Sequence, residues 1–203
     1  MFVVFEGGEG SGKSTMIERV KEKYSTRSDI VYTRDPVGTE LGEKTRDVVL
    51  SSDGARIDPI AELLLFHAAR AQLMSEVIAP ALKAEKVVIC NRFELSAIAY
   101  QIYGRQRTEL LPLLRSVSAT IIGEHIPDVC IFLDVSPEVG IKRAQERNEE
   151  LTRFDLEQLD FHERVRAGFK KHLGEYGQPV TIDADQPMEV VWREVEKALQ
   201  SVL

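Results

Sequence analysis

The chain has 203 residues, 43% of them hydrophobic, and a formal net charge of −7. That composition suits one compact domain over residues 1–203, and neither a membrane-spanning apolar run nor a signal-peptide pattern is present. The acidic balance argues against a nucleic-acid-binding surface, while sixteen arginines against ten lysines point to small phosphorylated ligands gripped in a pocket.

The first element is FVVFE, Phe2 to Glu6, an apolar run that reads as a buried strand. Gly7, Gly8, Glu9, Gly10, Ser11, Gly12, Lys13, Ser14 and Thr15 follow, with the spacing G-x-x-x-x-G-K-[ST] of a phosphate-binding loop. Glycines let consecutive N–H groups turn toward phosphate oxygens, and the next helix offers its positive end. Lys13 is placed to reach the β- and γ-phosphates, and the Ser14 hydroxyl to ligate magnesium. The pattern predicts a site for a nucleoside triphosphate with Mg2+.

IVYTR, Ile30 to Arg34, is the second strand; a Pro-fixed turn and a helix from about Glu40 come next. Helical spacing of Ala61, Leu64, Leu65, Ala68, Ala69, Gln72 and Leu73 predicts a helix that continues to about Lys83. Phe66 and Arg70 share one of its faces, where a ring can stack on a base and a guanidinium can meet its edge. VVICN (Val87 to Asn91), VCIFLDV (Val129 to Val135) and PVTID (Pro179 to Asp183) complete the strands; helices are expected over Asp155 to Tyr176 and Pro187 to Leu203. Cys90 and Cys130 both fall inside buried strands, which makes them core thiols suited to a reducing cytoplasm.

Strands alternating with helices, each strand nearly continuously apolar, predict an α/β fold. A five-stranded parallel sheet is covered on both faces, in three α/β/α layers. Ligands of such sheets collect at the carboxyl ends of the strands, here Glu6 onward, Arg34-Asp35-Pro36, Asn91-Arg92 and Asp134. No Asn-Lys-x-Asp string is present to read a guanine.

Five segments in this order resemble the bacterial thymidylate kinases over nearly the full chain. They are EGGEGSGKST, TRDPVGTELGEK, LLLFHAARAQL, ICNRFELSAIAYQ and FLDVSPEVGIKRA followed by LDFHERVRAGF. The resemblance implies a P-loop kinase fold and transfer of the γ-phosphoryl of ATP to deoxythymidine monophosphate. It implies that Arg92 and Arg34 grip the acceptor phosphate and Glu9 approaches the sugar hydroxyl. Phe66 would stack on the pyrimidine, Arg70 would reach its carbonyl edge, and Tyr100 would close over the sugar, with Ala97 and Gln101 beside the base. Arg143, Arg147 and Arg153 would belong to a lid at about 143–155. A homodimer packed through the helix from Ala61 to Lys83 is also implied.

Three positions depart from that pattern. Asn91 stands where an aspartate usually helps organise the magnesium shell, and an amide brings no charge to it. Ala97 stands where a threonine or asparagine often bonds the thymine ring, and Val37 replaces the first of two glycines after Pro36. These departures leave open a broader or modified deoxypyrimidine monophosphate as acceptor. They also leave open a catalytically weakened nucleotide-binding protein and an ATPase needing no acceptor.

Overall fold

Five strands hydrogen-bond in parallel in the order β2-β3-β1-β4-β5. They are β1 (Phe2–Glu6), β2 (Ile30–Arg34), β3 (Val87–Asn91), β4 (Val129–Asp134) and β5 (Gln178–Asp183). The computed structural model describes residues 1–50, 57–147, 151–200 and 202–203. β1 and β3 are buried along their whole length, as their unbroken apolar runs require. β5 lies at an edge and is largely exposed, and that is where its Pro179, lacking an N–H for a second neighbour, can be accommodated.

Side chains alternate between the two faces of the sheet. Phe2, Val4, Val88, Cys90, Cys130 and Phe132 enter one core, shared with α3 (Pro59–Leu73) and α8 (Leu159–His172). Val3, Phe5, Ile89, Ile131 and Leu133 enter the other, shared with α1 (Lys13–Lys23) and α9 (Met188–Gln200). The expected three layers follow. Cys90 and Cys130 both stand opposite Val4, one on each flank of β1. Two strand spacings put them roughly 10 Å apart, too far for a disulfide; both are buried free thiols.

The remaining helices are α2 (Glu40–Leu50), α4 (Ala79–Lys83), α5 (Glu94–Ala97), α6 (Leu111–Ile122) and α7 (Pro137–Gln145). Asp58 caps α3 by accepting a hydrogen bond from the Ile60 N–H at 2.9 Å, with Pro59 at the first helical position. A π-helical turn, Met74–Ile78, joins α3 to α4, so the helix expected over Ala61 to Lys83 runs from Pro59 with that one irregularity. The helix expected from Asp155 starts only at Leu159 and ends at His172. The Asp155 carboxylate is occupied instead in a local turn, accepting from Thr152 N–H at 2.9 Å and Thr152 Oγ1 at 2.6 Å. The last helix similarly stops at Gln200, short of Leu203. Of the expected lid at about 143–155, residues 148–150 lie outside the described residues.

Candidate active site

The strand β1 ends at Glu6 and α1 begins at Lys13, so Gly7 to Gly12 must turn the chain within six residues. Gly10 takes φ +65°, and a Cβ there would stand 2.1 Å from the carbonyl oxygen of Gly140 on α7. The loop thus packs against α7 through two bare backbones. Lys13 folds back over its own loop, donating to the Gly7 carbonyl at 2.9 Å, the Gly8 carbonyl at 2.8 Å and Ser11 Oγ at 2.9 Å. Burial, and then the neighbouring Arg92, press the Lys13 pKa well down.

Asn91 ends β3 beside β1. Its Nδ2 donates to Ser14 Oγ at 3.2 Å, and its Oδ1 is buried with no partner. A hydroxyl and an unclaimed amide oxygen at the start of α1 fit a magnesium ion that keeps most of its waters and binds chiefly through phosphates. Among the described residues no cluster of three metal-ligating side chains exists.

Arg92 follows directly with φ +68°, the left-handed region, which turns its side chain back toward the phosphate loop. It donates to the Gly7 carbonyl at 2.9 Å, Ser96 Oγ at 3.1 Å, Glu9 Oε1 at 2.7 Å and the Tyr100 hydroxyl at 3.2 Å. Tyr100 in turn donates to Glu9 Oε1 at 2.9 Å. Burial alone would raise the Glu9 carboxyl, but Arg92 and Lys13, with the Tyr100 hydrogen bond, outweigh it and hold it at about 2.

Glu6 braces this corner from below. It accepts from Phe93 N–H at 2.8 Å, Ser96 N–H at 3.2 Å and Ser96 Oγ at 2.6 Å. Burial raises its pKa from 4.5 to about 7 against those hydrogen bonds and Arg92. A folded-state value above the unfolded one means that the proton stabilises the fold fully below about pH 4.5. That contribution is lost as pH rises through 7. Glu6→Gln, neutral at every pH, should therefore gain on the wild type between pH 5 and pH 8, by about 2 kcal/mol in urea titrations. An unchanged gap at the two pH values would contradict the burial effect.

A cavity of about 130 Å³ opens beside Arg92. Glu9, Arg34, Phe66, Arg70, Arg92, Ala97, Tyr100 and Gln101, expected around the acceptor, line it together with Arg147, expected in the lid. Arg70 is placed less freely than expected. It is 2% exposed, its Nε donates to Asp35 at 2.7 Å, one terminal nitrogen donates to Glu94 at 2.6 Å, and the other meets Asp35 and the Phe93 carbonyl. Two buried carboxylates therefore claim most of the guanidinium expected to read a base.

The lid arginines divide. Arg147 lines the cavity and donates to Asp155 at 2.8 Å. Arg153 does not line it; it pairs with Glu62 and lies over the Phe154 ring at 5.1 Å. Arg143 also lies outside it, donating to the Ala184 carbonyl at 2.7 Å beyond β5. Gly12, Lys13, Ser14 and Thr15 stand at the start of α1, where the sequence places them.

One cavity residue, Arg46, is not singled out by the sequence. Arg46, on α2, lines the cavity and has no hydrogen-bond or ion-pair partner among the described residues. Its signal was helical: Gly42, Thr45 and Val49 form the buried stripe of α2, and Arg46 stands at its margin.

Residues 5–195 match the thymidylate kinase family model. A thymidylate kinase from Clostridium novyi is 41% identical over 203 residues, covering 98% of each chain. One from Desulfovibrio desulfuricans is 43% identical over 212 residues, covering all of this chain and 96% of its own. A crystal structure of thymidylate kinase from Ehrlichia chaffeensis superposes with a TM-score of 0.71 at 33% identity, covering 98% of both chains.

Proposed function

The chain belongs to the thymidylate kinase family and is a nucleoside monophosphate kinase, ATP:dTMP phosphotransferase, and we propose that the cavity beside Arg92 seats the dTMP while the Gly7–Ser14 loop seats ATP. The observation that carries this placement is Arg92 itself, which touches the phosphate loop through Gly7 and the cavity through Glu9 and Tyr100.

The acceptor's phosphate is already anionic near pH 7, its second pKa being about 6, so attack on the γ-phosphorus needs no general base. An acceptor oxygen bonds to phosphorus as the bond to the β-phosphate oxygen breaks and ADP leaves. The work is to hold two repelling anions in line and to neutralise the charge that moves. Lys13 and the loop amides hold the donor. Arg92, Arg34 and Arg46 grip the acceptor phosphate, and Glu9 with Tyr100 borders the sugar. Phe66 packs on the base, with Arg70, Ala97 and Gln101 around its edge. Arg147 and Arg153, with Arg143 nearer the nucleotide, form the lid that excludes water on closing. Ser14 and Asn91 would hold magnesium, which when bound neutralises phosphate charge.

The proposal extends to a homodimer through α2, α3 and α6, which pack side by side and leave Val48, Leu64 and Leu113 exposed. Light scattering that returned the mass of one chain would remove it. No helix among the described residues is long and apolar enough to cross a membrane. The two free thiols suit a cytoplasmic location.

A panel of monophosphates tests the acceptor, and two variants test the departures. Asn91→Asp adds charge beside Ser14 and should lower the magnesium concentration for half-maximal rate without changing acceptor preference. Ala97→Thr adds a hydroxyl beside the base and should sharpen preference for dTMP over other deoxypyrimidine monophosphates, leaving magnesium use alone. The crossed outcome, base choice moved by residue 91 and magnesium use by residue 97, would reverse the two assignments. Turnover of ATP that ignores every added monophosphate would leave an ATPase instead.

A further inference from the structure

Glu62, on α3, takes no part in the chemistry above, yet it is a charged side chain only 1% exposed. Its oxygens accept from Gln101 Nε2 at 3.0 Å and from Arg105 Nε and a terminal nitrogen at 3.4 Å each, and Arg153 completes the ring of donors. A carboxylate among guanidinium groups accepts hydrogen bonds and donates none. The amide of Gln101 therefore has one orientation, its NH2 toward Glu62 and its carbonyl oxygen turned away. Gln101 lines the cavity, and Oε1 has no partner among the described residues.

The other polar groups near the base have less to offer. Most donors of Arg70 are claimed by Asp35, Glu94 and the Phe93 carbonyl. Ala97 contributes no hydrogen bond. The direction of one amide thus carries an unusual share of base recognition.

We infer that Glu62 is a positioning residue: by holding the Gln101 amide, it presents a fixed acceptor to the ring N–H of the base and makes the cavity select pyrimidines protonated at N3 against cytosine. This rests on the thymidylate kinase reading of the cavity. Thymine and uracil carry a hydrogen on N3. Cytosine carries a lone pair there, which meets Oε1 as acceptor against acceptor. With the amide free to turn, its NH2 would serve cytosine as well as its oxygen serves thymine.

The experiment measures kcat/KM for dTMP and dCMP, or the inhibition constant of dCMP against dTMP where its rate is too slow to follow. Glu62→Gln keeps the volume but can both accept and donate, so Gln101 turns either way; the dTMP:dCMP ratio should fall on the order of tenfold, through KM more than kcat. Glu62→Asp keeps a charge for the arginines while drawing the oxygens back from Gln101, and should also lower the ratio. In a cycle with Gln101→Leu the two losses should not add, because Glu62 acts through Gln101. Folded Glu62 variants that slow both acceptors alike, with the ratio held within about twofold, would overturn the inference, since that is what a structural brace alone predicts. A wild-type enzyme inactive on every monophosphate would remove the family reading and the inference together. That result is distinct from an active enzyme whose ratio does not move.

Discussion

Lys13→Ala should lower turnover by at least about a hundredfold while the fold persists. Without nucleotide, the Lys13 ammonium rests on the Gly7 and Gly8 carbonyls and Ser11 Oγ. These are neutral acceptors in a buried corner, and burial presses its pKa down there. Phosphate oxygens offer the same three donors a negative partner, so the lysine's attraction is greatest where charge builds in the transition state. Losing one such donor in a dry site is worth about 3 kcal/mol. Alanine leaves the start of α1 with a good helix former, and circular dichroism should retain the wild-type shape. Turnover near normal at saturating ATP and magnesium would refute the role given to Lys13.

Arg92→Ala should raise the KM for dTMP and lower kcat together, with a combined loss on the order of a hundredfold or more. Arg92 donates to both Glu9 and Tyr100, so its removal also leaves the Glu9 carboxylate facing the incoming phosphate with less compensation. Repulsion then adds to the lost attraction. Arg92→Lys should restore only part of the activity, because an ammonium cannot make the two-pronged contact of a guanidinium. Steady-state kinetics with each substrate varied in turn decides the matter. A variant that lost affinity for ATP alone would place the acceptor elsewhere.

The parts of this molecule legible in its sequence are those where neighbours in the chain are neighbours in space. The phosphate loop is one such part: Gly7 to Ser14 act as a unit fixed by their own spacing. The bounds of β1 and β3 were legible because an unbroken apolar run buried on both faces leaves no other reading. The lid side was less legible. The Asp155 turn competes with helix through side-chain hydrogen bonds to Thr152, which helical periodicity does not register. Arg70 was foreseen at the cavity, but its capture by Asp35 and Glu94 joins residues 35 and 24 positions away. Glu62 and Arg46 went unseen for the same reason. Each sits in an ordinary amphipathic helix, and only the tertiary approach of residues 92–105 and the strand ends gives it a partner or a cavity.

β1 stands in the middle of the sheet, with β3 and β2 on one flank and β4 and β5 on the other. The segments after β2 and β3 supply most of the acceptor cavity, which Glu9 and the stretch from Arg147 to Asp155 complete, whereas α7, which follows β4, packs against the phosphate loop at Gly10. Departures at residues 37, 91 and 97 all fall at the ends of β2 and β3 or just beyond them, on that first flank. A fold laid out in this way is modular along the axis of its sheet. Its acceptor is met chiefly through one pair of connections and its triphosphate through the loop on the central strand, and residue 91, which touches Ser14, is where a change on the first flank reaches the donor side.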